Sequence, residues 1–350
     1  MKVRTALVAI VVSVFAVAAG TASADPAKVG YPSSIASTGD SITRAYNTCS
    51  FPYVDCPANS WSTGTSTSVN SVYRRILAAN GAISGRNYND AKTGGKMIDL
   101  NGQVSTAASQ HAELVTILMG ANDVCTSSES TMTPVGTVSA QLTTALQTVS
   151  ARLPDARIAV SSIPNIYRLW QVLHTNFAAV SVWSLAGICQ SMLKNPTSTA
   201  QADVDRRARV AQRNQDDNNA IRDACAQFIH CRFDNYAAYN VQFATSDVTT
   251  RDYFHPNVSG QAKAAAAAWG AGFDYTDQVA PVTTASSSAG TLTLSATDNV
   301  AVSGIEYRLS SDTLGYRRYT APVTLAPGTV ITFRAVDVNG NVEASQSLTG

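Results

Sequence analysis

The chain is 350 residues long, 45% of them apolar and only 14% charged, with 25 Lys and Arg against 24 Asp and Glu. So even a balance gives no electrostatic reason to expect nucleic acid or an anionic membrane surface as partner. The length is enough for one sizeable core plus a small second domain.

Residues 1–24 read as a signal peptide. Lys2 and Arg4 make a basic start, an apolar stretch runs from Ala6 to Ala19, and Ala22-Ser23-Ala24 offers a small-residue cleavage site before Asp25. That stretch is short for a membrane span and no later segment is apolar enough for one. The expectation is a secreted, extracellular chain that is not membrane-spanning. Loss of the leader removes two positive charges and no negative one, taking the formal charge from +1 to −1. Cys49, Cys56, Cys125, Cys189, Cys225 and Cys231 form an even set, which in an exported chain argues for disulfides. Spacing does not fix their connectivity. Pairing in order, Cys49 with Cys56, Cys125 with Cys189 and Cys225 with Cys231, is the expectation because two of the loops it closes are short. No Cys-x-x-Cys is present and His230 beside Cys231 lacks a ligand set, so no metal is expected.

From Ser34 to about Asp277 apolar runs alternate with helical patterns, which indicates a parallel sheet covered by helices on both faces. The predicted strands are Ser34 to Thr38, Arg86 to Ala91, Leu114 to Met119, Arg157 to Ile163 and Ile229 to Asp234. Predicted helices are Val69 to Ala79, Met97 to Ala108, Val135 to Leu153, Val204 to Phe228 and Ser259 to Trp269. This makes residues 25–278 an α/β domain of the flavodoxin-like, three-layer α/β/α type with a five-stranded parallel sheet.

Four short blocks carry the chemistry. In Ala36-Ser37-Thr38-Gly39-Asp40-Ser41-Ile42-Thr43 the serine follows the first strand, and Arg44-Ala45-Tyr46 can begin a helix. Ligands of open α/β sheets bind at such places, outside the carboxyl ends of the strands. Gly39 allows a sharp turn that presents Ser41, and the first amides of a helix face any negative charge beside it. Taken alone, Gly-Asp-Ser is an ordinary turn ending in a cap. The other blocks are Thr93-Gly94-Gly95 after the second strand, Met119-Gly120-Ala121-Asn122-Asp123 after the third, and Asp252-Tyr253-Phe254-His255-Pro256 near the domain's end. In this order they resemble the SGNH (GDSL) hydrolase family, of the secreted actinobacterial lipase and esterase type, over roughly residues 30 to 275.

Residue chemistry is consistent with that resemblance. A serine is a weak nucleophile until a base lies within hydrogen-bond reach, and imidazole titrates near neutral pH. Of the four histidines, His111 begins a strand-like run, His230 lies inside a strand, and His174 sits in a long insertion with nothing to orient it. His255 stands in a polar loop before a helix, with Asp252 close enough in sequence to bond its other ring nitrogen through a tight turn. The resemblance implies Ser41 as nucleophile, His255 as base and Asp252 as its orienting carboxylate. It assigns the oxyanion donors to the backbone N–H groups of Ser41 and Gly94 and the side-chain amide of Asn122. It also implies the sequential disulfide pairing. No metal or organic cofactor is needed for such chemistry. The Gly-x-Ser-x-Gly elbow of α/β-hydrolases is missing, since Gly136-Thr137-Val138-Ser139-Ala140 ends in alanine.

Asn165 to Ala202 is too long for an ordinary connection in an α/β unit and unusually apolar, with Leu169, Trp170, Leu173, Phe177, Trp183 and Leu185. Either it folds back on the core as extra helices, or it overhangs the site as a wall for an acyl chain, which would bring Trp170 or Trp183 near the substrate.

Beyond Phe273 the composition changes. Residues 279–290 contain Pro281 and a Ser/Thr run and read as a linker. Thr291 to Thr297, Gly304 to Ser310, Val330 to Val336 and Val342 to Leu348 alternate apolar and polar residues, and Asn339-Gly340 is a hairpin signal. Residues 291–350 therefore read as a small all-β, immunoglobulin-like sandwich. Asp337, Asn339 and Asn341 do not continue as a calcium loop, because Val342 and Leu348 stand where Gly and Glu are needed. Asn257-Val258-Ser259 matches a glycosylation sequon, but a sugar there would obstruct His255. The whole reads as a secreted serine esterase or lipase acting on a small-molecule or lipid ester, with cell-wall or polysaccharide contact assigned to the terminal domain and no nucleic-acid partner. The alternatives are a polysaccharide O-acetyl esterase and a surface-binding protein with an inactive SGNH domain.

Overall fold

Residues 25–312 and 315–350 are described by the structure, a computed structural model; the predicted leader lies outside the described residues. Five parallel strands form the central sheet: β1 (Ile35–Gly39), β2 (Asn87–Asn89), β3 (Leu114–Leu118), β4 (Arg157–Val160) and β5 (Cys231–Phe233), in the order β2-β1-β3-β4-β5. β1 pairs with β2 on one side and β3 on the other, so the winding reverses there. The crevice at the carboxyl ends of β1 and β3 is therefore the place the topology offers a ligand.

Helices cover both faces. They are α1 (Val72–Ala79), α2 (Leu100–Ser109), α3 (Ala121–Val124), α4 (Val135–Arg152), α5 (Ile166–Leu173), α6 (Phe177–Leu185), α7 (Gln190–Leu193), α8 (Gln201–Cys225) and α9 (Val258–Ala271). The two-residue period of the strands sorts their side chains. Ala36, Val115, Ile117, Ile158 and Val160 pack under α2, α4 and α8, against Leu100, Val104, Leu142, Leu146, Val210 and Ile221. Ile35, Leu114 and Leu118 face the other way, against Val72, Tyr73 and Ile76 of α1 and Ala264 and Ala265 of α9. The result is the expected three-layer domain. β2 is shorter than expected, as befits an edge strand paired on one side only. The insertion after β4 is helical, as α5, α6 and α7, with Leu173 and Trp183 in the core.

One boundary needs correcting. Residues 279–290, expected as a linker, contain β6 (Val282–Ser288), which forms a hairpin with β7 (Thr291–Thr297). Its Ser/Thr content reflects a half-solvated edge strand. The inward Thr283 satisfies both its N–H and its hydroxyl on the buried carboxylate of Glu343. With β8 (Val302–Leu309), β9 (Arg317–Arg318), β10 (Val323–Thr324), β11 (Val330–Asp337) and β12 (Gln346–Thr349) it builds two antiparallel sheets, β10-β7-β6 and β12-β11-β8-β9. Leu292, Leu294, Ile305, Ile331 and Phe333 fill the space between them. Gly340, at φ +71°, makes the turn after β11, as the Asn-Gly pair suggested.

The two domains are fastened together. Buried Arg157 donates from Nε to Asn339 O and from Nη2 to Asn341 Oδ1, both at 2.9 Å. Arg334 bridges Glu306 and Asp155 at 2.7 and 2.6 Å, and His230 bonds Glu306 at 3.2 Å. The amino-terminal segment also crosses over: Lys28 and Val342 exchange both backbone hydrogen bonds at 2.9 and 2.8 Å. The first residues assigned to the α/β domain thus lie on the β domain. Disulfides join Cys49–Cys56, Cys125–Cys189 and Cys225–Cys231 in the expected sequential pattern.

Candidate active site

β1 ends in a turn that only glycine permits. Gly39 has φ +144°, and a Cβ there would lie 2.3 Å from Leu118 O and 2.6 Å from Thr43 Oγ1. Two glutamines clamp the turn. Gln103 of α2 accepts the Gly39 N–H at 2.7 Å and donates to its carbonyl at 3.0 Å, while Gln261 of α9 donates to Ile42 O at 2.8 Å. Asp40 Oδ1 accepts the Ile42 N–H at 2.8 Å, which folds the chain around Ser41. The helix expected after Ser41 does not form. Arg44 and Tyr46 donate back to Asp40 O and Ser41 O, but Ala45 at φ +49° and Asn47 at φ +67° end the run at once.

The Ser41 hydroxyl donates to His255 Nε2 at 2.7 Å, and His255 Nδ1 donates to Asp252 Oδ2 at 2.8 Å. A carboxylate only accepts, so the Nδ1–H tautomer follows. Asp252 Oδ1 takes the N–H groups of Phe254 and His255 at 2.9 and 3.0 Å, closing the tight turn that brings the pair together. Burial alone would raise the pKa of Asp252. The hydrogen bond and charge of His255 and the two backbone donors outweigh it and hold the carboxyl below its ordinary range. Tyr46 and Phe254 flank the imidazole, each with ring centroids 5.0 Å away.

Asn122 enters from α3, directly after β3. Its Nδ2 donates to Gly95 O at 2.9 Å, which anchors the amide and leaves a second hydrogen for the cleft it lines with Ser41 and His255. The backbone N–H groups of Ser41 and Gly94 have no partner among the described residues. Gly94, at φ +77°, occupies the exposed turn one residue before Gly95, whose carbonyl anchors Asn122. Asp123 braces this corner, accepting the Met97 N–H at 2.8 Å and the Thr133 hydroxyl at 2.7 Å. Ser41, His255, Asp252 and Asn122 thus come together at the topological switch point, and Gly94 is tied to them only through its neighbour Gly95.

Beyond Ser41 the cleft encloses about 690 Å³ with its mouth, walled by Ile42, Ile166, Leu169, Val172, Phe243 and Phe254. The insertion does supply a wall, through α5, but neither tryptophan lines it. Trp170 lies under the Arg207 guanidinium, 4.6 Å from its ring centroid, and bonds Pro196 O. Trp183 is fully buried and donates to Tyr253 O at 3.0 Å, bracing the turn that carries His255. Of the insertion's apolar residues Leu173 and Trp183 are buried while Phe177 and Leu185 are exposed, so apolar content does not tell lining, bracing and surface apart. Gln103 and Gln261 carry no local signal in the sequence, and Trp183, expected near the substrate, braces the His255 turn instead.

Two of the three other histidines have partners elsewhere. His230 pairs with Glu306, His174 stacks on Trp170 at 4.4 Å, and Cys231 is in a disulfide. Among the described residues one acidic group, Asp277, Asp298 and Asp337, has ligand atoms within 4.8 Å of one another; it lies at the domain junction, where Asn339 and Asn341 donate to two of its members.

A serine, histidine and aspartate in series, with unpaired N–H donors beside the hydroxyl, define the class of serine hydrolase sites that need no elbow motif. The family model of GDSL-like lipase/acylhydrolases matches residues 35–268, and the chain belongs to that family. No curated protein matches it. Similar solved structures include a phospholipase A1 from Streptomyces albidoflavus, at 16% identity and TM-score 0.40 over 69% of this chain and 99% of that one. A protein from Parabacteroides merdae described as GDSL-like is also 16% identical, with TM-score 0.40 over 70% and 98%. A psychrotrophic esterase from Pseudoalteromonas is 15% identical, with TM-score 0.34 over 68% and 96%.

Proposed function

We propose that the protein is a secreted carboxylic ester hydrolase, a serine esterase or lipase that works through an acyl-enzyme. The observation that carries this reading is the 2.7 Å contact between Ser41 Oγ and His255 Nε2 at the mouth of an apolar cleft. Ser41 attacks the ester carbonyl while His255 takes its proton, and Asp252 balances the imidazolium charge. The oxygen that becomes negative is met by the N–H groups of Ser41 and Gly94 and the free amide hydrogen of Asn122. His255 then returns the proton to the leaving alcohol, and a water activated by the same imidazole releases the acid.

The cleft favours a lipid or small-molecule ester over an acetylated polysaccharide, because an acetyl group would leave the walls formed by Leu169, Val172 and Phe243 without a partner. Export is supported by the leader pattern and by three disulfides, which persist in oxidising compartments. The test is a panel of p-nitrophenyl esters from acetate to palmitate, with Ser41→Ala alongside. Turnover should peak at medium or long chains and fall by about 10⁴-fold or more in the variant. Activity confined to acetate and propionate would favour the deacetylase, and near-wild-type turnover by Ser41→Ala would remove Ser41 from the mechanism.

A further inference from the structure

Asn47 sits in the loop that follows the Ser41 turn, 3% exposed and at φ +67°, a conformation asparagine tolerates better than most residues. Every polar group it has is engaged. Its N–H donates to Val54 O at 2.9 Å, and its carbonyl accepts from Arg251 Nη1 at 3.1 Å. Its side-chain oxygen accepts the Tyr53 N–H at 2.6 Å, and its side-chain nitrogen donates to Oδ2 of Asp252. The orientation of the amide is forced, because a backbone N–H only donates and a carboxylate only accepts. Oδ2 is also the oxygen that receives His255 Nδ1–H, so the asparagine and the imidazole share one acceptor.

The loop that presents Asn47 is closed at two points. Cys49 and Cys56 are joined covalently. Arg251, immediately before Asp252, reaches across to Phe51 O at 3.0 Å and Ser50 O at 2.7 Å. The carboxylate and the loop are therefore gripped from both sides, although some two hundred residues of chain separate them. Within Asp-x-x-His itself the carboxylate is held at Oδ1 by two backbone N–H groups and at Oδ2 by the imidazole; Asn47 adds to Oδ2 a donor that comes from outside that turn.

We propose that Asn47, carried on the Cys49–Cys56 loop, is a positioning residue for the ester hydrolysis assigned to Ser41. It fixes the plane of the Asp252 carboxylate and tempers the negative charge that Asp252 offers to His255. The inference rests on the Ser41 reading. Removing the donor frees the carboxylate to turn away from Nδ1 and makes it more basic, so it stabilises the imidazolium more strongly when the two do meet. The titratable and charged groups around the pair are Tyr46 and Asp40 on the Ser41 side and Arg251, Tyr53 and Asp55 on the loop side.

The test uses the full chain as wild type, Asn47→Ala, Asn47→Asp and a Cys49→Ser/Cys56→Ser double variant. p-Nitrophenyl butyrate is the substrate, and active sites are counted with a fluorophosphonate so that misfolded molecules drop out. In Asn47→Ala, kcat per labelled site should fall about tenfold or more with KM within about twofold. The acidic limb of kcat/KM should move up by about half a pH unit in Asn47→Ala and about one unit in Asn47→Asp, whose added charge acts in the same direction. The cysteine variant should lose kcat in the same direction by a smaller factor. Unchanged kcat per labelled site with an unmoved limb overturns the proposal, including when the labelled fraction drops, because that pattern marks a purely structural role. A wild type that neither labels nor turns over overturns the Ser41 reading and this inference with it.

Discussion

At Asn122 one amide hydrogen is committed to Gly95 O, and in the proposed mechanism the other serves as an oxyanion donor. Asn122→Ala should lower kcat about 10²- to 10³-fold with little change in the melting temperature, measured on p-nitrophenyl butyrate and by thermal unfolding. Equal losses of activity and folded protein would deny it the donor role. Asp217 makes the opposite case, a buried residue at odds with its surroundings. Both of its oxygens are without partners among the described residues, and the side chain is buried on α8. Burial raises its pKa to about 7, with Asp123 adding to the effect and Arg213 opposing it. The folded state therefore binds more protons than the unfolded chain between about pH 4 and pH 7, and stability falls as the pH rises through that window. Asp217→Asn should raise stability at pH 8 by about 1–3 kcal/mol and flatten this part of the profile, read from chemical denaturation at several pH values.

Among the elements, the stretch from α5 to α7 owes its position to the end of β3. The Cys125–Cys189 disulfide closes a separation of 64 residues, and Ser191 bonds Val124 O at 2.7 Å and the Thr126 N–H at 3.1 Å. Replacing both cysteines by alanine should cost about 2–4 kcal/mol in denaturant unfolding and loosen the α5 wall, narrowing the preference for long over short acyl chains. An unchanged acyl-length profile would separate the disulfide from the cleft. The same elements show how far the sequence could be read. Strands β3 and β4 were plain because largely apolar runs suit a sheet buried on both faces, and β1 from its shorter start at Ile35-Ala36. Ser41, Asn122, Asp252 and His255 stand out through the family resemblance that their ordered blocks carry together, since each block alone reads as an ordinary turn, cap or loop. The helix after Ser41 was misread because Arg44-Ala45-Tyr46 has helical propensity, whereas the loop's course is set by Cys56 and Arg251 from outside the segment. β6 was taken for a linker because an edge strand with one wet face has the Ser/Thr content of a tether. Asn47 has no signal of its own in the sequence, since the carboxylate it meets lies far along the chain.

For the molecule as a whole, the domain junction is a buried polar seam. Glu306 lies between His230 and Arg334; burial would raise its pKa, but its hydrogen bonds to and attraction by these two side chains hold it below the usual carboxylate range. A folded pKa below the unfolded one means stability that is present above the ordinary carboxylate range and lost as the pH falls through the depressed value. Acid should therefore release the two domains, and Glu306→Gln should blunt that acid transition in a pH-scanned unfolding experiment. Ile229 packs against Val336 and Val342 across the same junction, so a chain ending at Gln278 should melt at a lower temperature than the full one.

The stitch between Lys28 and Val342 makes neighbours of residues from opposite ends of the described chain. A polypeptide made from its amino end carries Asp25 to Gly30 unpaired until nearly everything else has been synthesised. Zipping that arm down is then a late event, and its entropic cost grows only slowly with the contour it encloses. A nascent or shortened molecule lacking the last strands would trail a loose amino-terminal arm, an easy target for clipping, so completeness at one end is read out as protection at the other.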